Sequence, residues 1–269
     1  MLAVYLNDAV LDWRIALVLV ANILAVSSAF IINDVVDAED DALDPDKREK
    51  NIISSTTTIS QQTGVMAFWL VALSALALYL ISGWWAIFWG VVGISLAYMY
   101  SMNPFRLKAR PLVDIVSHVV GAGSLPLIIG YFLYDNSPGV AWYVILAMTF
   151  ISAYGQFYNQ LDDFEIDAAA GLKTTTIVIG KSRARLLMYA FVTLSVLCMA
   201  LAILMNAFPP WVGTVVIVCA LACSLFAWKT DMRGNPAGVD AVQVPTLLTL
   251  NLVSMLWVAS AIGLLTIGG

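Results

Sequence analysis

The chain has 269 residues, 61% of them apolar and only 12% charged, with a mean hydropathy of +0.88. A soluble domain carries about a quarter charged residues, so a soluble globular protein is excluded. The net charge of -5 is concentrated: eight of the 18 acids lie between Asp34 and Glu49 and four more between Asp162 and Asp167, an acidic balance that argues against nucleic acid as partner.

Crossing a bilayer takes roughly 20 apolar residues. Taken in chain order, 14–32, 65–82, 84–101, 112–134, 140–160, 186–205, 211–228 and 245–267 predict eight spans in one all-α transmembrane bundle. The opening MLAVYLNDAVLDW has no basic region, so no cleaved signal peptide is expected. The first span runs into Asn33, Asp34, Asp37, Glu39, Asp40 and Asp41. The second and third form one apolar run, split by the turn signal Ser82-Gly83. The fifth ends in Gln156, Asn159 and Gln160 and runs into Asp162, Asp163, Glu165 and Asp167. Cys198, Cys219 and Cys223 lie in apolar stretches without metal-site spacing and imply no disulfide framework.

Alternating the connections between two sides places 33–64, 102–111, 161–185 and 229–244 together. Twelve of the 13 basic residues fall there, Arg14 being the exception, with 14 of the 18 acids, and Asp114 at the same end of the fourth span is a fifteenth on that face. The positive-inside rule makes that side cytoplasmic. The expectation is a multi-pass integral membrane protein with one working face.

The first acid cluster reads N-D-x-x-D-x-x-x-D. On a helix Asn33, Asp37 and Asp41 share a face, and Asp163 and Asp167 repeat the spacing. Like charges so placed destabilise a bare helix, and a divalent cation is the natural neutraliser. Hard oxygen ligands without Cys or His suit magnesium, which keeps waters and bridges to substrate phosphates. Such a pair of clusters suits a diphosphate leaving group. An EF-hand is discounted, because the first cluster lacks its glycine and terminal glutamate.

These motifs resemble the UbiA family of intramembrane prenyltransferases. N-D-x-x-D-x-x-x-D stands at 33–41. Asp163 to Asp167 is followed by Gly171, Lys173 and Thr174, and Tyr100 to Lys108 looks like the family's tyrosine-to-lysine segment. The resemblance implies two Asp-rich loops over a central cavity. It also implies magnesium-dependent transfer of an isoprenyl chain from an isoprenyl diphosphate to a lipophilic acceptor in the membrane. By that resemblance Asn33, Asp37, Asp41, Asp163 and Asp167 hold magnesium and diphosphate, with Asp34 and Glu165 supporting. Lys108, Arg106 and Lys173 contact diphosphate oxygens, and Tyr100 lies near the reacting centre. The family commonly has nine spans, its first motif following the second. Only 32 residues precede Asn33, so residues 1–269 are expected to form a single prenyltransferase domain without the first family helix. Where the family often has Arg-Pro and Ser-Gly after the first motif, this chain has Lys50-Asn51-Ile52-Ile53-Ser54-Ser55. The stretch YSMNPFRLKARPLVD with SLPLIIGY looks most like the carotenoid-acting branch that includes lycopene elongases. Aromatic (quinone-precursor) and ether-lipid acceptors stay open, as do prenyl length and oligomeric state.

Asn159, Gln160 and Gln156 are expected to line the cavity, with Asn251 and Gln243 as weaker candidates, since polar groups at membrane depth face the bundle interior. His118, the only histidine, is either a proton shuttle for the acceptor or a packed interfacial residue. Trp84, Trp85 and Trp89 read as an interfacial belt. Three other classes compete. A transporter or channel with acidic rings requires acids within spans, and only Asp114 is so placed. A CDP-alcohol phosphotransferase requires a D-G pair that neither cluster has. A non-catalytic relative lacking the first helix is the third.

Overall fold

The computed structural model describes residues 2–6, 9–42, 48–49, 51–55, 59–134, 137–169, 171–227 and 243–264. Over these the chain is helical throughout, with no strand. Lys47, Lys50, Lys229 and Arg233 of the charge count lie outside the described residues, as does the side chain of Gln243.

A short α1 (Leu2–Leu6) precedes the long α2 (Trp13–Asp41). Asp12 caps α2 by accepting from Arg14 N at 2.9 Å, satisfying one of the amides a helix start leaves unpaired. The helix does not stop where its apolar run ends at residue 32 but continues to Asp41, so the first acid motif is helical. After α3 (Ile52–Ser55), α4 (Gln61–Ser82) starts from Ser60, whose hydroxyl accepts from Thr63 N. Gly83, at φ 138°, makes the sharp break to α5 (Trp84–Ser101) in a conformation that L side chains rarely adopt.

The fourth span, α6, runs over Val113–Tyr131. It contains a π-helical segment, Val119–Ser124, between two α-helical pieces. There Gly123 lies against Ser152, so closely that a Cβ would meet that side chain at 2.6 Å. Next come α7 (Ala141–Asp162), the short α8 (Phe164–Ala169) and α9 (Thr175–Ile179), then α10 (Lys181–Leu204), α11 (Pro210–Ala227) and α12 (Gln243–Ala261).

Among the described residues each of the eight predicted spans falls on helix, and α2, α4, α5, α6 and α10 are long and apolar enough to cross a membrane.

The bundle is built as a bilayer requires. Small side chains fill the seams: Ala21, Ala72, Ala75 and Ala184 are fully buried, whereas Leu70, Leu80, Leu186 and Leu225 point outward. Lipid is as apolar as leucine, so helices there associate by close backbone approach rather than by hiding leucine. The protein is an integral membrane protein. The main pairings are α2 with α4, α7 with α10, and α11 with α12. Trp84 and Trp85 are exposed, as a belt requires, but Trp89 packs against the α2–α4–α5 core because its face of α5 turns inward.

Candidate active site

The acid-bearing ends of α2 and α7 and the connection after α5 meet at one end of the bundle, at the mouth of a cavity of about 420 Å³. Asn33, Asp37 and Asp41 from α2, Tyr100 from α5, Arg106 and Lys108 from the following turn, and Asn159, Gln160, Asp163 and Asp167 from the α7–α8 corner all line it. The loop between α5 and α6 is set by local backbone geometry. Arg106 adopts a left-handed conformation (φ 36°) and leads into a 3₁₀ turn, Leu107–Ala109, which aims Lys108 inward.

Lys108 Nζ donates to both carboxylate oxygens of Asp37 at 2.5 Å and to Asn33 Oδ1 at 3.0 Å. Ser101 Oγ also donates to Asn33 Oδ1. Burial pulls the Lys108 ammonium below its ordinary pKa, while the Asp37 charge pushes back. Arg106 reaches Asp40 at 3.3 Å. Cationic and anionic groups therefore alternate around the mouth.

On the other wall, Asp163 closes the last turn of α7, donating its amide to Asn159 O, and Asp167 N bonds Asp163 O. Gly171, at φ 69°, then reverses the chain. This brings Thr174 into the cavity wall, while Lys173, one residue earlier, is exposed and does not line it. Adjacent residues of an extended segment point opposite ways. Among the described residues, Thr174 Oγ1 and Arg106 Nε are buried polar atoms without a hydrogen-bond partner. Such groups are costly to bury unsatisfied, and both belong to residues that line the cavity.

Gln160 lines the cavity as expected, and its amide is also committed to a buried network. Its Nε2 donates to Asp114 Oδ2 at 2.7 Å and its Oε1 accepts from Thr176 N at 3.1 Å. Asp114, fully buried, also accepts from Thr175 N at 2.6 Å and from the Thr175 hydroxyl. This network ties α6, α7 and α9 together beneath the second motif. It explains why the one acid inside a span is there.

Asn51 was not anticipated. It is buried, caps α3 by accepting from Ile53 N and Ser54 N, and donates Nδ2 to Asp41 Oδ2 at 2.8 Å and to Asp34 O at 2.9 Å. An Asn directly before Ile-Ile-Ser-Ser is a helix-start signal; its bond to Asp41 is tertiary. Of the two supporting acids, neither Asp34 nor Glu165 lines the cavity, whereas Asp40, which had no assigned role, does. Glu165 pairs with Lys181 on the surface. Asn251 is exposed.

Deeper in, the cavity is lined by apolar and small residues of α2, α5 and α6. His118 and Gln156 lie along it. Gln156 Nε2 donates to the Tyr100 hydroxyl at 3.1 Å, and the His118 and Tyr100 rings lie 6.2 Å apart. Among the described residues, no three His, Cys, Asp or Glu side chains converge into a ready-made ion cage. The donors are hard oxygens contributed by two walls, which suits an ion completed by water and phosphate.

The chain resembles known proteins over most of its length. It is 26% identical over 185 residues to a lycopene elongase/hydratase of Corynebacterium glutamicum, covering 66% of this chain and 63% of that protein. It is 27% identical over 193 residues to a lycopene elongase/hydratase of Haloarcula japonica, covering 70% and 59%. The chain thus spans about six tenths of the length of these relatives. Its fold matches a UbiA homolog from Archaeoglobus fulgidus, solved with GPP and Mg2+, at a TM-score of 0.73 with 21% identity, covering 97% of this chain and 92% of that one. The UbiA prenyltransferase family matches residues 1–241. On that match, with both acid motifs on one cavity of an all-helical membrane bundle, the chain belongs to the UbiA prenyltransferase family.

Proposed function

We propose that this protein transfers an isoprenyl group from its diphosphate to a lipophilic acceptor within the membrane, with magnesium. One observation carries the reading: a single cavity has both acid motifs, Lys108 and Arg106 at its mouth and apolar walls below. That is the division of a prenyl diphosphate into a polyanionic head and a hydrocarbon tail. The fold neighbour from Archaeoglobus fulgidus, bound to GPP and Mg2+, supports the same reading.

Asn33, Asp37, Asp41, Asp163 and Asp167 would hold magnesium, which when bound neutralises diphosphate charge and assists its departure. Lys108 and Arg106 bind diphosphate oxygens as a point and a forked charge, and Thr174 Oγ1 donates a further hydrogen bond. Tyr100, held by Gln156, stands below the mouth where the allylic carbon would lie. Its ring face stabilises positive charge there. The apolar walls exclude water from the cationic centre until the acceptor captures it.

The acceptor we favour is a carotenoid end group, on the likeness to two lycopene elongase/hydratases. The acid mouth is assigned to the cytoplasm by the asymmetry of basic residues. The test uses purified protein in detergent with magnesium and geranyl, farnesyl or geranylgeranyl diphosphate, with lycopene as acceptor. Donor consumption with a prenylated product is expected. No consumption of any donor overturns the reading, and consumption with an aromatic acceptor alone overturns the carotenoid assignment.

A further inference from the structure

At the end of the cavity away from the acids, a polar pair crosses otherwise apolar space. Tyr79 of α4 is almost fully buried, and its hydroxyl donates to Asn22 Oδ1 of α2 at 2.7 Å. Asn22 Nδ2 in turn donates to Pro126 O of α6 at 3.2 Å. The Tyr79 ring lies against Gly90 of α5, so closely that a Cβ there would meet the ring at 2.3 Å. Tyr79, Asn22 and Gly90 all line the cavity. Four helices are therefore joined through this pair of side chains at the inner end of the cavity.

The bonds pin the ring in place. The Tyr79 hydroxyl hydrogen is committed to Asn22, so the side chain closes this end of the cavity without offering a free donor to it. Asn22 lies about four turns from Asp37 on the same helix, roughly 22 Å along the axis. A tail reaching down from a head group held at the acids passes, below Asn33, small or apolar walls on α2, at Ala25, Val26, Ala29 and Phe30.

We infer that Tyr79, braced by Asn22 and seated on Gly90, is the floor of the tail tunnel and sets the length of isoprenyl chain accepted. The inference rests on the proposed prenyl transfer and adds the residue that limits its donor. Removing the ring extends the tunnel toward the far end of the bundle. Adding bulk above it shortens the tunnel. Gly93 offers that second position: it lines the cavity one turn of α5 nearer the mouth, and a Cβ there meets only Leu125 Cδ1, at an ordinary 3.6 Å.

The experiment compares kcat/KM for geranyl, farnesyl, geranylgeranyl and hexaprenyl diphosphates, with magnesium, across the unsubstituted protein and three variants. Tyr79→Ala is expected to raise the ratio of the longest to the shortest donor at least tenfold. Gly93→Val is expected to lower it at least tenfold, and Tyr79→Phe to leave the ratio unchanged because the ring remains. The opposite shift in Gly93→Val keeps the test decisive if Tyr79→Ala folds poorly. Unchanged ratios in both Tyr79→Ala and Gly93→Val, in a protein that does consume donor, overturn the floor and leave the reaction standing. If the unsubstituted protein consumes none, calorimetric binding of farnesyl and geranylgeranyl thiolodiphosphates is compared across the same proteins. Length preference that moves with residues 79 and 93 then supports the tunnel without the reaction, and a preference that does not move overturns it.

Discussion

The Lys108 ammonium lies 2.5 Å from both oxygens of Asp37, bridging the α5–α6 turn to the first acid motif. Each group compensates the charge of the other. In the proposed reaction they part, Asp37 toward metal and Lys108 toward phosphate, so the ion pair is a stored arrangement of the site.

Replacing Lys108 by Gln removes that compensation and one diphosphate contact. Transfer should fall by roughly 10²-fold or more. Lys108→Arg should not restore it, because a planar fork does not fit where a compact ammonium meets Asp37 and Asn33 together. Diphosphate release against donor concentration checks both.

Asp37→Ala and Asp163→Ala should each abolish magnesium-dependent transfer while leaving the helical content unchanged by circular dichroism. One motif cannot substitute for the other, because the two acids stand on different walls of the cavity. Full activity in either variant would remove the assignment.

Thr174→Val should impair transfer by roughly tenfold, the scale of one hydrogen bond to a charged group, whereas Lys173→Ala should change it little. Thr174 lines the cavity with an unsatisfied hydroxyl; Lys173 is exposed. Parallel steady-state assays of the two variants decide between them.

Asp114→Ala strands Gln160 Nε2 and Thr175 N in a buried site. It should destabilise the fold by roughly 3 kcal/mol and lower activity through misplacement of the second motif. Asp114→Asn keeps an acceptor and should recover part of both. Thermal unfolding in detergent gives the stability arm.

The Asp12 carboxyl is held below its ordinary pKa first by its hydrogen bond from Arg14, with Tyr134 adding a second. A depressed folded pKa means that the contribution is present above about pH 3.9 and is lost as pH falls through the lowered value. Asp12→Asn should therefore lower the melting temperature near neutrality, and the difference from the unsubstituted protein should shrink as the pH falls through the lowered value.

Much of the site was legible because it is written locally. The i, i+4 spacing of Asn33, Asp37 and Asp41 becomes one helix face once α2 runs past its apolar segment. The Ser82-Gly83 break is equally local, since glycine alone accepts that backbone. Other residues were not legible, because their roles exist only across distance. Asn51 reaches Asp41, Gln160 bonds Asp114 from the cavity wall, and the choice between Lys173 and Thr174 depends on how Gly171 reverses the chain.

The sequence by itself determined that this is a membrane-embedded helical bundle with two acid motifs, since hydropathy and helical periodicity are properties of contiguous residues. Only the tertiary structure decided that both motifs open on one cavity, that Lys108 stands on Asp37, and that Tyr79 bonds Asn22 across its depth. Those relations join residues 57 to 71 positions apart or more. Helix packing sets them, and no local pattern along the chain encodes how one helix is turned against another.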